Sequence, residues 1–423
     1  MTTPTMTNKT AKSTKSTKTA KTAKSAESAK SAKPMLAGIR VTDLTTVFFG
    51  PYCTQTLADL GAEVIKLEPA EGDTARLVGT PPVTPGMGPV YMRLNRGKRT
   101  IDWDLKSEAG REAMHRLIQS SDVFIHNIRG DAIARAGLSY DEVRAIRPDI
   151  VYVHCTGFDE RGPYSGLQAY DDIIQAASGM AQLLPLADGN PKPRFLPAAI
   201  ADKVSGLHAV YGVLAAIIHK LRTGEGQFVE VPMFESLVSF NMLEHLCDNT
   251  YLPPTSKGSV GAGYYQRQLD PTRHPMQTKD GYVAFAPYLD DRWLRFFEAT
   301  GYGHILKEPR FIDKPTRRQN MSQMFELMAQ IALERTTDEW LVLMKKINVP
   351  AMRVNRIDEL IDNEQLKASG LLREREHPTE GKYIEVGLPL RFSAMEPAPY
   401  RHPSAKGQHS EEVARELGVS LKK

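Results

Sequence analysis

Between Ala37 and Leu252, short apolar runs alternate with longer stretches in which apolar residues recur every three or four positions. The short runs read as strands and the longer ones as helices, because side chains repeat with a period of two in a strand and 3.6 in a helix. "GIRVTDL" predicts a strand, "PYCTQTLADLGA" a helix opened by Pro51, and "EVIKLE" a second strand, together a βαβ unit. "RTIDWD" continues the strands. "SEAGREAMHRLIQSS" follows as a helix with Ser107 as its cap and Glu108 in its first turn, leading into the strand "DVFIHN". Short helices at Asp131–Gly137 and "SYDEVRAIRP" lead to "DIVYVHCTGF". "DDIIQAASGMAQLL" predicts one helix and "ADKVSGLHAVYGVLAAIIHKLRTG" a long one ended by Gly224, before a strand at "GQFVEVPM". This alternation predicts an α/β layer around a mainly parallel sheet.

Beyond Leu252 the rhythm breaks. "YLPPTSKGSVGAGYY" is a Pro/Gly-rich connector, and "DGYVAFAPY" predicts a strand. Helices are expected around Asp290–Thr300, Arg317–Arg335 and Thr337–Lys346, in a second, smaller domain. "AMRVN", "YIEVGLP" and a helix at "SEEVARELG" complete the chain; periodicity does not decide which domain they join.

Composition changes the picture at one end only. A chain of 423 residues favours two domains over one. Its net charge of +4 hides an asymmetry: the first 34 residues carry eight Lys against Glu27, so the rest is net acidic. Lys recurs there at every third position, which gathers on no helical face, and almost no apolar residue is present to offset ordering entropy. Residues 1–34 are expected to be a disordered tail. A weak attraction to nucleic acid or another polyanion is the most it implies. No apolar run reads as long enough to span a bilayer, and no secretory signal opens the chain, so no membrane partner is expected. Cys53, Cys155 and Cys247 lie far apart without a C-x-x-C pair, as suits reduced thiols in a cytoplasmic protein.

The turn after the first strand, "TTVFFGPYC", lacks the G-x-G-x-x-G of dinucleotide-binding folds. Walker, H-E-x-x-H and G-x-S-x-G motifs are missing as well, which argues against kinase, zinc-hydrolase and serine-esterase chemistry. One carboxylate stands out. Asp202 lies in the small, apolar run "PAAIADKVSGLHAVYG" at the start of the long helix, where desolvation is costly. Its position by itself favours a helix cap over a reactive group.

Four long blocks in order carry a resemblance: "VTDLTTVFFGPYCTQTLADLGAEVIKLEPAEGDTAR", "LNRGKRTIDWDLKSEAGREAMHRLIQSSDVFIHNIRGDAIARAGL", "DIVYVHCTGFDERGPYSGLQAYDDIIQAASG" and "AAIADKVSGLHAVYGVLAAIIHKLRTGEGQFVEVPM". Together they resemble the family III coenzyme A transferases, over nearly everything after Ala37. The resemblance implies a Rossmann-like large domain, a smaller α+β domain and an interlocked homodimer. It divides the chain into a large domain at 35–235 with the CoA site and catalytic Asp, a linker and small domain at 236–355, and a segment at 356–423 returning to the large domain. It implies transfer of coenzyme A from an acyl-CoA to a carboxylic acid, with the CoA thioester as substrate and no metal or redox cofactor.

By the same resemblance Asp202 is the nucleophile, and its helix N-terminus helps to keep it ionised. Asn127, Arg135 and the turn from Trp103 to Lys106 fall at CoA-contact positions. Asp171 falls where transferases carry an acidic residue, with capping of the next helix as its plainer role. The racemase branch of the family uses a histidine where this chain has Tyr170, a poor proton shuttle near neutrality. A 2-methylacyl-CoA racemase is therefore the runner-up, and a non-catalytic acyl-CoA-binding protein a third reading. His126 and His154, at strand ends, read as structural. Phe48 and Pro69 replace a glutamine and an arginine of the formyl-CoA transferase branch, and "SKGSVGAGYY" replaces its glycine-run loop. These departures argue against formyl and oxalate substrates.

Overall fold

A computed structural model of the protein describes residues 33–254, 264–394 and 399–421. The Lys-rich segment up to residue 32 and most of the "SKGSVGAGYY" loop lie outside the described residues. The main sheet holds β1 (Arg40–Leu44), β2 (Glu63–Leu67), β3 (Arg99–Ile101), β4 (Val123–His126), β5 (Val151–Thr156) and β6 (Gln227–Pro232). All pair in parallel, in the order β3-β2-β1-β4-β5-β6. Helices α1 (Phe49–Asp59), α2 (Pro89–Leu94), α3 (Glu108–Gln119), α4 (Gly130–Arg135), α5 (Tyr140–Ile146), α6 (Asp171–Ala177), α7 (Met180–Asp188) and α8 (Ile200–Thr223) lie among the strands, and α9 (Met233–His245) follows β6.

Both faces of the sheet are covered, so its strands are apolar on both sides. Val41, Val123, Ile125, Val151 and Val153 face α1 and α8, while Phe124 and Tyr152 face the opposite core with Met114, Leu117 and Ile118 of α3. The strand order reverses between β1 and β4, the kind of switch point at whose strand carboxyl ends open α/β sheets bind ligands.

A second set of elements comprises α10 (Gln266–Leu269), β7 (Met276–Gln277), β8 (Tyr282–Phe285), α11 (Asp290–Thr300), α12 (Lys314–Gln319), α13 (Met321–Ala332), α14 (Thr337–Lys346) and β9 (Ala351–Arg353). They enclose a core of their own built on Phe285, Trp293, Phe296, Phe297 and Trp340. Then come α15 (Glu364–Ser369), an antiparallel hairpin of β10 (Leu372–His377) and β11 (Gly381–Val386), and α16 (Ser410–Glu416). The α16 segment lies against β3: Thr100 N–H donates to His409 Nδ1 at 3.1 Å, and Val413 and Ala414 enter the second core of the main sheet.

Three differences from the sequence reading have clear causes. "DDIIQAASGMAQLL" is two helices, because Gly179 adopts φ 81° and caps α7. The helix expected over Arg317–Arg335 breaks at Asn320, giving α12 and α13. Finally, α8 has 24 residues and a mean hydropathy of 1.4 over its most apolar window, so by length and composition it reaches what a bilayer span requires. Its Ala209, Val213, Ala216 and Ile217 are buried in the core of the main sheet.

Candidate active site

The loop that joins β1 to α1 lies at this switch point, and its Thr45, Thr46 and Val47 are held by different side chains. Thr45 donates its N–H and its hydroxyl to Asp43 Oδ1 at 2.9 and 2.6 Å, while its carbonyl accepts from Lys66 Nζ at 2.8 Å. Thr46 is gripped from both sides by Asn127, whose Oδ1 accepts its N–H at 3.0 Å and whose Nδ2 donates to its carbonyl at 2.9 Å. Val47 donates its N–H to Asp73 Oδ1 at 3.0 Å. Val47 stands at φ 71°, a left-handed conformation that costs a β-branched residue about 1–3 kcal/mol and persists only where its surroundings impose it.

Beneath the loop lies a set of buried charges. Lys66 and Asp73, both without solvent exposure, pair at 2.6 Å, and Lys98 lies 3.3 Å from Asp43. Burial pushes the Asp43 carboxyl up, but Lys98, Lys66 and the Thr45 and Thr54 hydroxyls hold it below its usual range. Burial likewise brings Lys98 down to about 8. Sequence reading missed these groups, although a lysine inside the apolar strand "EVIKLE" was the available signal.

The loop delivers the first amides of α1 to α8. The two helices approach closely at Gly206, where a Cβ would lie 2.8 Å from Tyr52 Cδ1 and 3.1 Å from the Phe49 carbonyl oxygen. Asp202 lies one turn earlier on α8, and the Phe49 backbone amide favours its ionised form. The Asp202 carboxyl is raised to about 7, by burial first and then by the charge of Asp171. The Phe49 amide and Lys203 pull in the opposite direction but do not win. Burial and the Asp171 charge together outweigh the groups that favour the ionised form. Among the described residues no cation pairs with it.

Capping is also settled. The N-cap of α8 is Ala199, with no side-chain cap of its own. The backbone N–H of Asp202 donates instead to Asp171 Oδ1 at 3.1 Å. Asp171 is itself tied by Gln175, whose Nε2 donates to Asp171 Oδ2 at 2.7 Å and whose Oε1 accepts the Leu196 N–H at 2.9 Å. Asp171 thus caps α8 across space rather than its own α6, and the Asp202 side chain is left uncommitted. Gln175 escaped the sequence reading; a buried amide four residues after Asp171 was its only trace. Tyr170, the residue before α6, is exposed.

The remaining candidates lie at the carboxyl ends of β3 and β4 or just beyond. Asn127 commits its amide to Thr46. Arg135 is exposed and pairs with Asp131 at 2.8 Å, one turn away on α4. Trp103 is buried, its Nε1–H donating to the Ser410 carbonyl at 3.2 Å, and Lys106 is exposed. His126 and His154 stack with ring centroids 4.4 Å apart, and both rings face the Ile128 backbone carbonyl. A cavity of about 870 Å³ lies elsewhere, lined by Arg267, Tyr288, Trp293 and Arg317 among others, and no residue around Asp202 borders it.

A half-buried carboxylate of weakened acidity, free of ion pairs, is equipped for nucleophilic or proton-transfer chemistry. Comparison with known proteins narrows this. The sequence pattern of CoA-transferase family III matches residues 36–410. A succinate–glutarate CoA-transferase from Agrobacterium fabrum is 32% identical over 394 residues, covering 91% of this chain and 96% of that protein. A formyl-CoA:oxalate CoA-transferase from Escherichia coli is 29% identical over 406 residues, covering 91% and 96%. The crystal structure of a CAIB/BAIF family protein from Brucella suis superposes with a TM-score of 0.76 at 28% identity, covering 91% of this chain and all of that one.

Proposed function

The chain belongs to CoA-transferase family III, and we propose that Asp202 is the side chain through which it transfers coenzyme A. The observation that supports this role is the uncommitted Asp202 carboxylate, partly stripped of water and set against the Phe49 amide. Desolvation makes a carboxylate a better nucleophile, and fixed geometry supplies much of the remaining barrier reduction.

The ionised Asp202 attacks the thioester carbonyl of an acyl-CoA, and the carbon–sulfur bond breaks. This gives a mixed aspartyl–acyl anhydride and CoA thiolate. The thiolate attacks the aspartyl carbonyl, releases the donor acid as its carboxylate and leaves an aspartyl-CoA thioester. An acceptor carboxylate then attacks that carbonyl, forming a second anhydride and freeing the thiolate again. Attack of the thiolate on the acceptor carbonyl yields the new acyl-CoA and restores Asp202. Every step exchanges one carboxylate or thiolate for another, so no net proton transfer is required. Tyr170 takes no part at any α-carbon.

Lys106 and Arg135 carry exposed cations near the carboxyl ends of β3 and β4, which suits them to the CoA phosphates. Asn127 and Trp103 use their polar atoms on the protein's own backbone and shape the groove instead. Succinyl and glutaryl groups are the first substrates to assay, since Phe48 and Pro69 depart from the formyl-CoA transferase pattern and a succinate–glutarate CoA-transferase is among the relatives.

The active unit is a homodimer in this reading, and an apolar stripe supports it. Leu207, Tyr211, Ile218 and Leu221 share one face of α8 and are all exposed, Leu221 by 72%; Leu243 on α9 is 88% exposed. Exposed apolar patches of this kind mark association surfaces. The chain divides into a large domain at 35–235, a small domain reached by a linker at 236–355 and a returning segment at 356–423.

The mechanism is tested by incubating the enzyme with succinyl-CoA or glutaryl-CoA, treating it with hydroxylamine and mapping peptides by mass spectrometry. A hydroxamate on the peptide that contains Asp202, lost in Asp202→Ala, is the expected result. Exchange at the parental rate in that variant would refute the mechanism.

A further inference from the structure

Thr45, Thr46 and Val47 are fastened in succession by Lys66, Asn127 and Asp73, and only the last of these holds imposes an unfavourable backbone conformation. Asp73 does this with one carboxylate. Its Oδ1 accepts from the Val47 and Ala75 amides, and its Oδ2 is occupied by Lys66 at 2.6 Å. The Asp73 N–H is anchored in turn on Glu68 Oε2 at 3.1 Å. Neither Lys66 nor Asp73 reaches solvent, so the pair has no route to substrate. Two residues after Val47 comes Phe49, whose carbonyl oxygen lies 3.1 Å from where a Cβ on Gly206 of α8 would sit, and whose amide favours the ionised form of Asp202.

We propose that the buried Lys66–Asp73 pair is a positioning device for CoA transfer, holding Val47 in its left-handed conformation so that the first turn of α1 stays packed against α8 beside Asp202. Burying an ion pair is rarely the most stable solution at such a place, and an apolar pair of similar volume would serve the fold as well. What the ion pair adds is a fixed acceptor for one specific amide. If Val47 relaxes to the extended region, the following peptide planes turn and the first turn of α1 is displaced from α8. The groups that face Asp202 are Asp171 on α6, Lys203 on its own helix and the Phe49 amide on α1. Of these, only the amide depends on Val47. Losing it removes a donor that favours the ionised carboxylate, so Asp202 ionises at higher pH.

The inference rests on Asp202 being the nucleophile, and hydroxylamine trapping on the parent enzyme tests that reading by itself. For the device, Lys66→Met is combined with Asp73→Ala, which removes both charges and strands neither. With circular dichroism unchanged, kcat should fall about tenfold or more while KM stays within about twofold. The rising limb of the pH–rate profile should move upward by roughly half a unit or more. Adding Val47→Gly should recover a large part of kcat, because glycine adopts the left-handed conformation without being forced. Should the alanine pair fail to fold, Lys66→Met with Asp73→Ser keeps a cap for Ala75 and carries the same expectations. A folded double variant with the parental kcat and profile, or no recovery on adding Val47→Gly, would each overturn the proposal.

Discussion

The Asp171 carboxylate accepts the backbone N–H of Asp202 at 3.1 Å, so one aspartate caps the helix that carries the other. This single contact does two things. It satisfies an orphan amide at the start of α8, and it places a like charge near the Asp202 carboxyl.

The first expectation concerns pH. With the Asp202 carboxyl near 7, and only its ionised form able to attack a thioester, kcat should rise with pH through about 7. Asp171→Asn keeps an oxygen to accept the amide but removes the charge, so the midpoint should move down by roughly half a unit or more. Rate profiles between about pH 5 and 9 check this. An unmoved midpoint would show that burial alone sets the acidity.

Stability should move the other way. A carboxyl whose folded value lies above its unfolded one favours the folded state at low pH, and that advantage is lost as pH rises from about 4 through 7. Asp202→Asn removes the cost of a buried negative charge. It should therefore raise the melting temperature at pH 8, by an amount equivalent to roughly 1–3 kcal/mol, and change it little at pH 4. Calorimetry at the two pH values decides the matter.

Gly206→Ala probes the approach of α8 to α1. The added methyl meets Tyr52 Cδ1 at 2.8 Å and the Phe49 carbonyl oxygen at 3.1 Å. Stability should fall by about 1–3 kcal/mol despite the better helix propensity of alanine. Because the displaced residue is Phe49, kcat should drop more than KM rises, which steady-state kinetics on the folded variant will show.

For the apolar face of α8 and α9, the variant Leu221→Glu with Leu243→Glu should shift the protein from dimer to monomer. Light scattering coupled to size exclusion measures this directly. A parent that runs as a monomer at micromolar concentration would remove the homodimer from the functional reading.

Much of the main sheet was legible from period alone. Val41, Val64, Val123, Ile125, Val151 and Val153 all lie in one core because their strands are apolar runs of the right length. The long helix, its stop at Gly224 and the Ser107 cap of α3 were equally plain, since each depends on residues adjacent in the chain. The break at Gly179 was not, because the same glycine is tolerated inside a helix when neighbouring packing permits. Asp202 could be singled out as a charge in an apolar run, but its position alone favoured a cap, and only the family resemblance turned the reading towards a reactive group.

Sequence by itself determined the alternating elements, the parallel α/β layer and the presence of one anomalous carboxylate at the head of the longest helix, since local period and capping chemistry need no partner far along the chain. Tertiary structure alone decided that Asp171 caps α8 from 31 residues away, that Asn127 clamps a loop 81 residues before it, and that Val47, in a left-handed conformation, gives its N–H to the Asp73 of a buried ion pair. These contacts join residues brought together only when the sheet has formed, and the strength of a charge or a hydrogen bond there depends on how much water the surrounding fold has removed.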